Sequence, residues 1–326
     1  KIFYYKFRGA KIGKGVKLGL FSVLESPDIK IEDDVSVGFM SFIKARKISI
    51  SKRSKIASMV AIDTGIFEMG KDSTIMEQVI IGGMLTPRSR ITIGDRVKIF
   101  PFCFINPTEP IDIETDVGVG GSNYIFTHGT WPSMMDGNPG AFGPVKIKKG
   151  TWLPWRVFIL PNVTIGENCV IAAGSVVSKS VDDYSLAAGM PAKTITSDGG
   201  HIKVLTDEEK DKLYSQIKME FVEYLDYMGF STVYKKEDDY ESLTVEKNGS
   251  TSTIRFFSSK VETGSKAETA DILVSLKALD SETKENLKRS GVNWFDIENK
   301  NALYSRDKKW EEVKNFFSRY GIRFDY

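Results

Sequence analysis

The chain has 326 residues, of which 41% are hydrophobic and 27% are charged. At roughly 100 to 200 residues per domain, this composition predicts a folded protein of about two domains and excludes a disordered or fibrous chain. Forty-five basic residues against 43 acidic ones leave a net charge of +2, so a surface dominated by contacts with nucleic-acid phosphates is not predicted.

The cysteines and histidines exclude several kinds of site. Cys103 and Cys169 lie in apolar runs, where buried free thiols are expected, and this indicates a protein of the reducing cytoplasm. With only His128 and His201 present, three imidazoles cannot meet on one metal ion, and no metal site is predicted. No apolar stretch approaches about 18 residues and no charged leader precedes an apolar core, so neither a membrane span nor a secretory signal is expected.

A short phrase recurs through the first two thirds of the chain: an aliphatic residue, Gly or an acid, two polar residues, and then a small or β-branched residue. The phrase begins at Ile12, Ile31, Ile50, Met69, Ile93, Ile113, Ile147 and Ile165. The steps between these anchor residues are 19, 19, 19, 24, 20, 34 and 18 residues. A step of 18 residues corresponds to three repeats of six residues. Apolar residues two and four apart, rich in Val and Ile, predict strands rather than helices. A triangular coil of about eight turns follows, with one short strand on each face.

An ordinary sandwich of short strands is the alternative fold, because it also gives turn signals every 8 to 12 residues or so. A sandwich would not keep a register of 18 to 20 residues over this length. The two longest steps locate insertions in the coil, one near residues 84–90 and a longer one at residues 129–144. Loops that leave a rigid scaffold commonly carry binding and chemistry.

The repeat ends after Ile195, and a second, α+β domain is predicted, so that the domains span residues 1–200 and 201–326. Thr206 and Glu209 form a capping box for a helix over roughly 207–228 that Gly229 closes. The residues expected on the buried face of this helix are Leu213, Ile217, Phe221, Leu225 and Met228. The elements expected after it are a hairpin of 243–247 and 251–257 around Asn248-Gly249, a strand at 272–276, a helix over 282–289, a strand at 292–297, and an amphipathic helix that carries Trp310, Val313, Phe316 and Phe317.

His128 is the main candidate for chemistry, since it stands where the sixth coil gives way to the long insertion. From position alone, a structural histidine is as good an interpretation as a catalytic one. Ser122 and Ser175 have no histidine beside them in sequence, and His201 in the linker is interpreted as a surface residue. The acid pairs Asp33-Asp34 and Asp182-Asp183 lie in turn-like stretches, where solvation explains them.

Three phrases occur in order near the end of the coil: Pro-Asn-Val-Thr-Ile-Gly at 161–166, Ala-Ala-Gly-Ser-Val-Val at 172–177 and Ala-Gly-Met-Pro-Ala-Lys at 188–193. The stretch 145–193 closely resembles the terminal coils of the hexapeptide-repeat acyltransferases, the left-handed β-helix family whose members acetylate sugars, serine, antibiotics and polysaccharides with acetyl-CoA. The resemblance covers residues 8–195. It implies an all-β left-handed parallel β-helix of about eight coils followed by the smaller α+β domain, and handedness comes from the resemblance alone, because right-handed crossovers are the general rule.

The resemblance also implies roles for particular residues. His128 matches the loop histidine that serves the family as general base. The corner residues that line the slot for acetyl-CoA fall on Trp155, Ala173 and Ser178, with Lys179 and Lys193 near its phosphates. Trp152 matches the family's tryptophan in this coil, whereas Trp155 is bulkier than the small residue usual at its position.

The residue types around Ala173 also suit acetyl-CoA when they are considered apart from the resemblance. Gly174 after Ala173 lets a slender chain lie against exposed backbone, and Lys146 and Lys148 add positive charge for phosphates. A plainer interpretation is that Ala-Gly corners fit tight turns and that the lysines form a solvated face.

We therefore expect an acetyl-CoA-dependent O-acetyltransferase that acts on a carbohydrate, a glycan or polysaccharide, by direct attack, with His128 taking the proton of the acceptor hydroxyl. The group that orients the imidazole is open between Asp136, Glu109 and Asn123. The resemblance implies a homotrimer with the cofactor between neighbouring coils. The alternatives are an N-acetyltransferase of a small amino sugar or a drug-like amine, and a non-catalytic β-helical binding or scaffold protein. Carbonic anhydrase chemistry, which occurs on the same fold, is excluded because it needs three histidines.

Overall fold

The computed structural model describes residues 1–237, 240–258, 267 and 269–326. These residues divide into two compact units, Lys1–Lys203 and Val204–Tyr326. The sequence placed this boundary after residue 200, within the turn-rich linker. A short helix, Ile2–Phe7, precedes the first coil, and the repeat pattern gave no sign of it.

The N-terminal unit is a left-handed parallel β-helix with three faces, which we call A, B and C. The first strand, Lys11–Ile12, lies on face C, and the chain then passes through A, B and C in turn. Face A consists of Lys17–Leu18, Ser36–Val37, Lys55–Ile56, Thr74–Ile75, Lys98–Ile99, Gly118–Val119, Trp152–Leu153, Val170–Ile171 and Leu186–Gly189, followed by the antiparallel strand Ala192–Thr196. Face B consists of Val23–Glu25, Ile80–Gly82, Phe104–Asn106, Tyr124–Phe126, Phe158–Ile159 and Val176–Val177. Face C consists of Lys11–Ile12, Asp28–Ile31, Arg90–Ile93, Ile111–Ile113, Val145–Ile147 and Thr164–Ile165.

Two long strands, Phe42–Ile50 and Ala61–Met69, pass from face B to face C without a break. The edge between these faces is therefore only a bend in the second and third coils. In later coils the same edge carries both predicted insertions, because one leaves after Gly82 and the other after Phe126. The two insertions thus lie above one another on the B–C edge, which the sequence intervals alone did not reveal.

The eight anchor residues form one continuous stack along face C. Register pairs join Ile12 to Ile31, Ile31 to Ile50, Ile50 to Met69, Met69 to Ile93, Ile93 to Ile113, Ile113 to Ile147 and Ile147 to Ile165. All eight side chains are buried, so the prediction of a triangular coil with inward aliphatic residues is confirmed. Burial of these stacked aliphatic side chains is the main source of stability for the unit.

The fourth residue of each phrase makes the turn from face C to face A. It adopts a positive φ in every coil, as Gly15, Asp34, Arg53, Asp72, Arg96, Asp116, Gly150 and Asn168. Gly, Asn and Asp reach this conformation at the least steric cost. The Asp33-Asp34 pair belongs to this turn, and Asp33 Oδ1 accepts a hydrogen bond from the backbone N–H of Lys14 at 2.7 Å, so the pair has a structural role.

The described residues of the C-terminal unit form one sheet and three helices. The strands are Ser231–Lys236, Glu241–Lys247, Ser250–Phe257, Ile272–Ser275, Asn293–Asp296 and Asn301–Ala302, in this spatial order, and the helices are Asp207–Tyr227, Ser281–Arg289 and Lys308–Ser318. The first strand and the last were not predicted from the sequence. Asn248 and Gly249 make the hairpin turn with φ of 53° and 76°, as expected for Asn-Gly.

The capping box of Thr206 and Glu209 is present, and the helix begins at Asp207. The prediction of its buried face was wrong in part, because Leu213 and Met228 are 44% and 38% exposed while Tyr214 is buried. The Tyr214 hydroxyl donates to the Val274 carbonyl at 2.9 Å, so its polar group is satisfied on the inward side of the helix beside Ile217 and Phe221. Among the described residues, no helix combines the length and the apolar character needed to cross a bilayer.

Candidate active site

His128 lies on the B–C edge, two residues after the strand Tyr124–Phe126, and its ring is half-buried. It forms a two-residue strand, His128–Gly129, that pairs antiparallel with Ala141–Phe142. The Phe142 ring stacks on the imidazole with 5.9 Å between ring centroids. Within the described part of the chain, Nδ1 is buried and has no hydrogen-bond partner. The ring is therefore held by packing against Phe142.

The long insertion closes on itself at its base. The N–H of Gly143 donates to the Thr127 carbonyl at 2.9 Å, and the Asn162 amide donates to the Phe142 carbonyl at 3.2 Å. A Cβ on Gly143 would come within 1.7 Å of Asn162 Oδ1, so a larger residue there would have to displace the Asn162 side chain that holds the base of the loop. The tip, by contrast, projects Trp131 and Met135, which are 97% and 95% exposed. His128 thus stands at the fixed end of a loop whose tip meets solvent.

The three groups that could orient His128 have different surroundings. Asn123 is fully buried; its Oδ1 accepts from the N–H of Val157 at 2.6 Å and its Nδ2 donates to the Leu153 carbonyl at 3.3 Å. Both ends of this amide are therefore occupied. Asp136 ends an exposed turn of 3₁₀ helix, Met134–Asp136.

Glu109 is the third group, and it is bound to the other insertion. Its carboxylate accepts two hydrogen bonds from the Arg88 guanidinium, both at 2.6 Å. These bonds lower the pKa of Glu109 below its ordinary value, and Glu109 in turn raises the pKa of Arg88. The N–H of Glu109 donates to Thr127 Oγ1 at 2.9 Å. Glu109 therefore joins the 83–89 segment to the residue that precedes His128.

The structure places the expected cofactor residues on two different edges. Trp155, Ala173 and Lys193 lie at or beside the A–B edge, since the N–H of Gly174 donates to the Trp155 carbonyl at 3.0 Å and Lys193 pairs with Ala188 just beyond face A. Ser178 and Lys179 follow the strand Val176–Val177 and lie on the B–C edge. They share that edge with His128, two coil steps or about 10 Å farther along the axis. Within one chain, the five residues do not form one site.

The local surroundings of Trp155 explain how a bulky side chain fits at this corner. A Cβ on Gly121 would lie 2.2 Å from Trp155 Cζ3, so the indole covers a glycine on the adjacent coil. Ala173 is exposed, and nothing lies within 4 Å of a Cβ built on Gly174. An open, small-residue corner therefore lies beside a half-exposed indole, a surface that suits a slender ligand chain.

Four lysines were expected to supply positive charge, and they fall into two classes. Lys146 pairs with Glu114 at 2.9 Å and Lys148 with Asp183 at 3.1 Å. The Asp183 hydrogen bond raises the pKa of Lys148, and the N–H of Glu167 together with Lys148 lowers the pKa of Asp183. In the described parts of the chain, Lys179 and Lys193 make no ion pair and are exposed. The latter two remain available to phosphates, and the former two are already neutralised.

The remaining polar candidates are structural. Ser175 is buried and accepts a hydrogen bond from the N–H of Gly189 at 3.1 Å, and Ser122 occupies a turn with φ of 55°. His201 is half-buried rather than on the surface, with Nδ1 3.5 Å from Thr196 Oγ1. Cys103 and Cys169 are free and buried, and burial raises the pKa of the Cys103 thiol to about 11. In the ranges that the structure describes, no three His, Cys, Asp or Glu residues come together as metal ligands.

Face B, which lies between the two edges, carries a row of exposed apolar side chains at the start of its strands. Val23, Phe42, Ile80 and Tyr124 are between 37% and 48% exposed. Further exposed apolar side chains lie along the A–B edge, at Leu20, Phe21, Met40, Met59 and Phe102. An apolar surface of this extent marks an interaction site in a folded protein.

Comparison with known proteins gives an independent view of the coils. Residues 144–179 match the family model described as "Bacterial transferase hexapeptide (six repeats)". Proteins of several Staphylococcus aureus strains that carry acetyltransferase names are 51% identical over 53 residues, which are 16% of this chain and 27% of theirs. Galactoside O-acetyltransferase of Escherichia coli K12 is 30% identical over 131 residues, 40% of this chain and 52% of that protein.

The match extends to solved structures. A hexapeptide-repeat-containing acetyltransferase of Vibrio cholerae complexed with acetyl coenzyme A is 27% identical, with a TM-score of 0.35, over 40% of this chain and 70% of that chain. The chain spans about a quarter to a half of the length of the curated relatives named above. The phrases at 161–193 lie in coils whose anchor residues stack as the hexapeptide repeat requires, and part of this stretch matches the family model. Residues 144–179 of the N-terminal unit thus match the hexapeptide-repeat transferase model, and the unit has the left-handed β-helix fold that the resemblance in sequence implies.

Proposed function

We propose that the chain is an acetyltransferase that moves an acetyl group from acetyl-CoA to a hydroxyl group of a carbohydrate, a glycan or polysaccharide, with His128 as general base. The observation that carries the proposal is the position of His128: a half-buried imidazole at the fixed base of the long insertion, on an edge of a hexapeptide coil. The match to galactoside O-acetyltransferase supports transfer to a sugar hydroxyl.

In the proposed reaction, acetyl-CoA supplies an acetyl group as a thioester. His128 takes the proton from the acceptor hydroxyl while the oxygen forms a bond to the acetyl carbonyl carbon. The carbon–sulfur bond then breaks, and the protonated imidazole returns its proton to the leaving thiolate, so no covalent link to the enzyme forms. Stacking on Phe142 keeps the ring in place through both proton transfers.

We further propose that the working assembly is a trimer. His128 and Lys179 lie on one edge of face B, and Trp155 and Ala173 lie on the other. If three copies pack with face B inward in head-to-tail contact, the B–C edge of one copy meets the A–B edge of the next. One cleft would then contain the base of one chain and the small-residue corner of its neighbour. The exposed apolar side chains of face B supply the surface for this contact.

The donor fits this cleft by its chemistry. The open corner at Ala173 and Gly174 would take the slender pantetheine arm, while Lys179 and Lys193, both exposed, would meet the phosphates. A cytoplasmic location is part of the proposal, because acetyl-CoA and buried free thiols such as Cys103 both suit a reducing compartment.

The test uses the full chain with radiolabelled acetyl-CoA and a panel of carbohydrate and amine acceptors. We expect transfer to a carbohydrate hydroxyl, and a loss of about 10² to 10⁴ in rate for His128→Ala with acetyl-CoA affinity retained. Trp131→Ala is the stability control, because it removes a large exposed side chain from the tip of the same loop. Transfer only to amines would favour the N-acetyltransferase, and failure to bind acetyl-CoA would favour a binding or scaffold protein.

A further inference from the structure

The helix Ile2–Phe7 lies across the N-terminal end of the β-helix and is fixed to the first coil. At its start, Lys1 Nζ donates to the Gly19 carbonyl at 2.6 Å. In its middle, the Tyr5 hydroxyl accepts from the N–H of Leu24 at 2.9 Å. One side of the helix therefore covers the end of the core, and the other side faces away from the coil.

The side of the helix that faces away from the coil is aromatic. Ile2 and Tyr5 pack against the buried core. Phe3 and Phe7 are one helical turn apart and lie on the opposite side. These two rings are 83% and 84% exposed, and Tyr4 beside them is also exposed. A row of aromatic side chains that meets only solvent marks a contact surface.

The same end of the unit is basic. Six Lys and Arg residues occur before the first acidic residue, Glu25, and all six are exposed: Lys1, Lys6, Arg8, Lys11, Lys14 and Lys17. From the helical spacing, Lys6 and Arg8 lie on the two flanks of the aromatic row. A chain whose net charge is only +2 thus concentrates positive charge at one end of its coil.

The acidic residues that follow are partly neutralised. Glu25 lies 3.7 Å from Lys44 Nζ, and Glu32 lies 3.5 Å from Lys30 Nζ. Asp33 accepts a backbone hydrogen bond at 2.7 Å. Glu32 and Asp33 also belong to the second coil, about 4.8 Å farther from the end. A partner that approaches along the axis of the coil therefore meets positive charge first.

The proposed trimer would place three copies of this surface side by side. A three-fold axis parallel to the coils keeps the direction of each coil, so the three helices lie at the same end. Their aromatic rows then face one way, close to one plane. A flat, extended partner engages all three copies at once, which raises the overall affinity without any new contact. A lipid bilayer is a partner of this shape.

We propose that the N-terminal end of the β-helix docks on a bilayer surface rich in anionic lipids, with Phe3 and Phe7 among the headgroups and Lys6 and Arg8 beside the lipid phosphates. Helices that lie in the membrane interface combine aromatic side chains with flanking Lys and Arg in this way. The cytoplasmic leaflet carries the negative surface potential that the basic flanks match. The docking surface belongs to each single copy and does not depend on acetyl transfer.

The experiment measures co-sedimentation of the full chain with vesicles of phosphatidylcholine, alone or mixed with phosphatidylglycerol. We expect binding to the mixed vesicles and little to the neutral ones, with release as salt increases, because salt screens the attraction between lysines and phosphates. Phe3→Ser combined with Phe7→Ser should lower the partition coefficient about tenfold, since less apolar area enters the interface. Lys6→Glu combined with Arg8→Glu should lower it by a similar factor.

Both pairs of substitutions have a matched control outside the first coil. Val204→Ser combined with Tyr227→Ser removes two apolar side chains that are also highly exposed. Lys288→Glu combined with Arg289→Glu makes the same change of charge on exposed residues of the C-terminal unit. The controls should bind the mixed vesicles as the parent does. Melting temperatures should stay close to that of the parent, because every substituted side chain is exposed.

Equal binding to both kinds of vesicle, an equal loss in the control variants, or no binding to vesicles would each overturn the proposal. If vesicles are not bound and the serine substitutions at Phe3 and Phe7 instead lower the mass in light scattering, the helix contacts another copy of the chain. His128→Ala should bind vesicles as the parent does. A protein that binds the vesicles yet transfers no acetyl group would contradict the proposed function and leave the docking surface intact.

Discussion

Arg88 and Glu109 lie 21 residues apart, yet two hydrogen bonds of 2.6 Å join the guanidinium to the carboxylate across adjacent coils. This pair fixes the first insertion against the residue that leads to His128, since the N–H of Glu109 bonds to Thr127. Thr86 Oγ1 also donates to the Thr108 carbonyl at 2.9 Å. The first insertion is therefore anchored to the next coil at two points.

The Arg88–Glu109 pair is expected to make a contribution to stability that is lost in acid. Arg88 lowers the pKa of Glu109, so the pair stabilises the fold above the ordinary glutamate pKa of about 4.3 and loses this effect as pH falls through the lowered pKa. Arg88→Ala should lower the melting temperature at neutral pH and less so in acid. Melting curves across this pH range measure the difference, and a constant difference would contradict the assignment. Lys47→Ala, which removes an exposed pair with Glu68 on face C, is the control.

The exposed apolar side chains of face B lead to a prediction about the proposed trimer. Phe42→Glu combined with Ile80→Glu places two charges among exposed apolar side chains, and we expect light scattering to report a smaller species than the trimer that we propose for the parent protein. Lys55→Glu changes charge on face A and should leave the mass unchanged. A stable monomer of the parent protein at micromolar concentration would refute the trimer.

Replacement of Asn123 is expected to lower the stability of the protein and to leave the rate of the reaction nearly unchanged. Its amide bridges Val157 and Leu153 in the interior, so Asn123→Ala leaves buried backbone groups unpaired at a cost of about 1 to 3 kcal/mol. The melting temperature should fall, while kcat of the folded fraction should change little. His128→Ala should instead lower kcat and leave the melting temperature nearly unchanged. A large loss of kcat in a stable Asn123→Ala protein would instead make Asn123 the group that orients the imidazole.

The division into two units predicts the behaviour of a truncated chain. Residues 1–203 have their own stacked aliphatic core, so we expect this fragment to fold and to bind acetyl-CoA, while transfer to a large acceptor should fall. Circular dichroism, calorimetric titration and the radiolabel assay measure these three properties. An insoluble fragment, or one without affinity for acetyl-CoA, would show that the first unit is not autonomous.

Much of the coil can be predicted from the sequence, because each turn of the coil is specified by residues that are close together in the chain. An inward aliphatic residue and a turn residue with positive φ recur with each coil, and Ile113 and Ile147 remain register partners even though the long insertion separates them. The position of His128 at the start of that insertion could be predicted for the same reason. The helix face was harder to predict, because Tyr214 rather than Leu213 is buried, through packing on Phe256 and a hydrogen bond to Val274 in distant strands.

What the sequence alone determined is therefore the coil, its register, the sites of insertion and the candidate base. The tertiary structure decided which of these features meet. Stacking of the coils brings Asp63, Gly82 and Asn106 into one column although 19 or more residues separate each from the next, and it assigns Trp155 and His128 to opposite edges of face B. Neighbours of this kind are set by the number of residues in each coil, so the divided site becomes visible only in the folded coil.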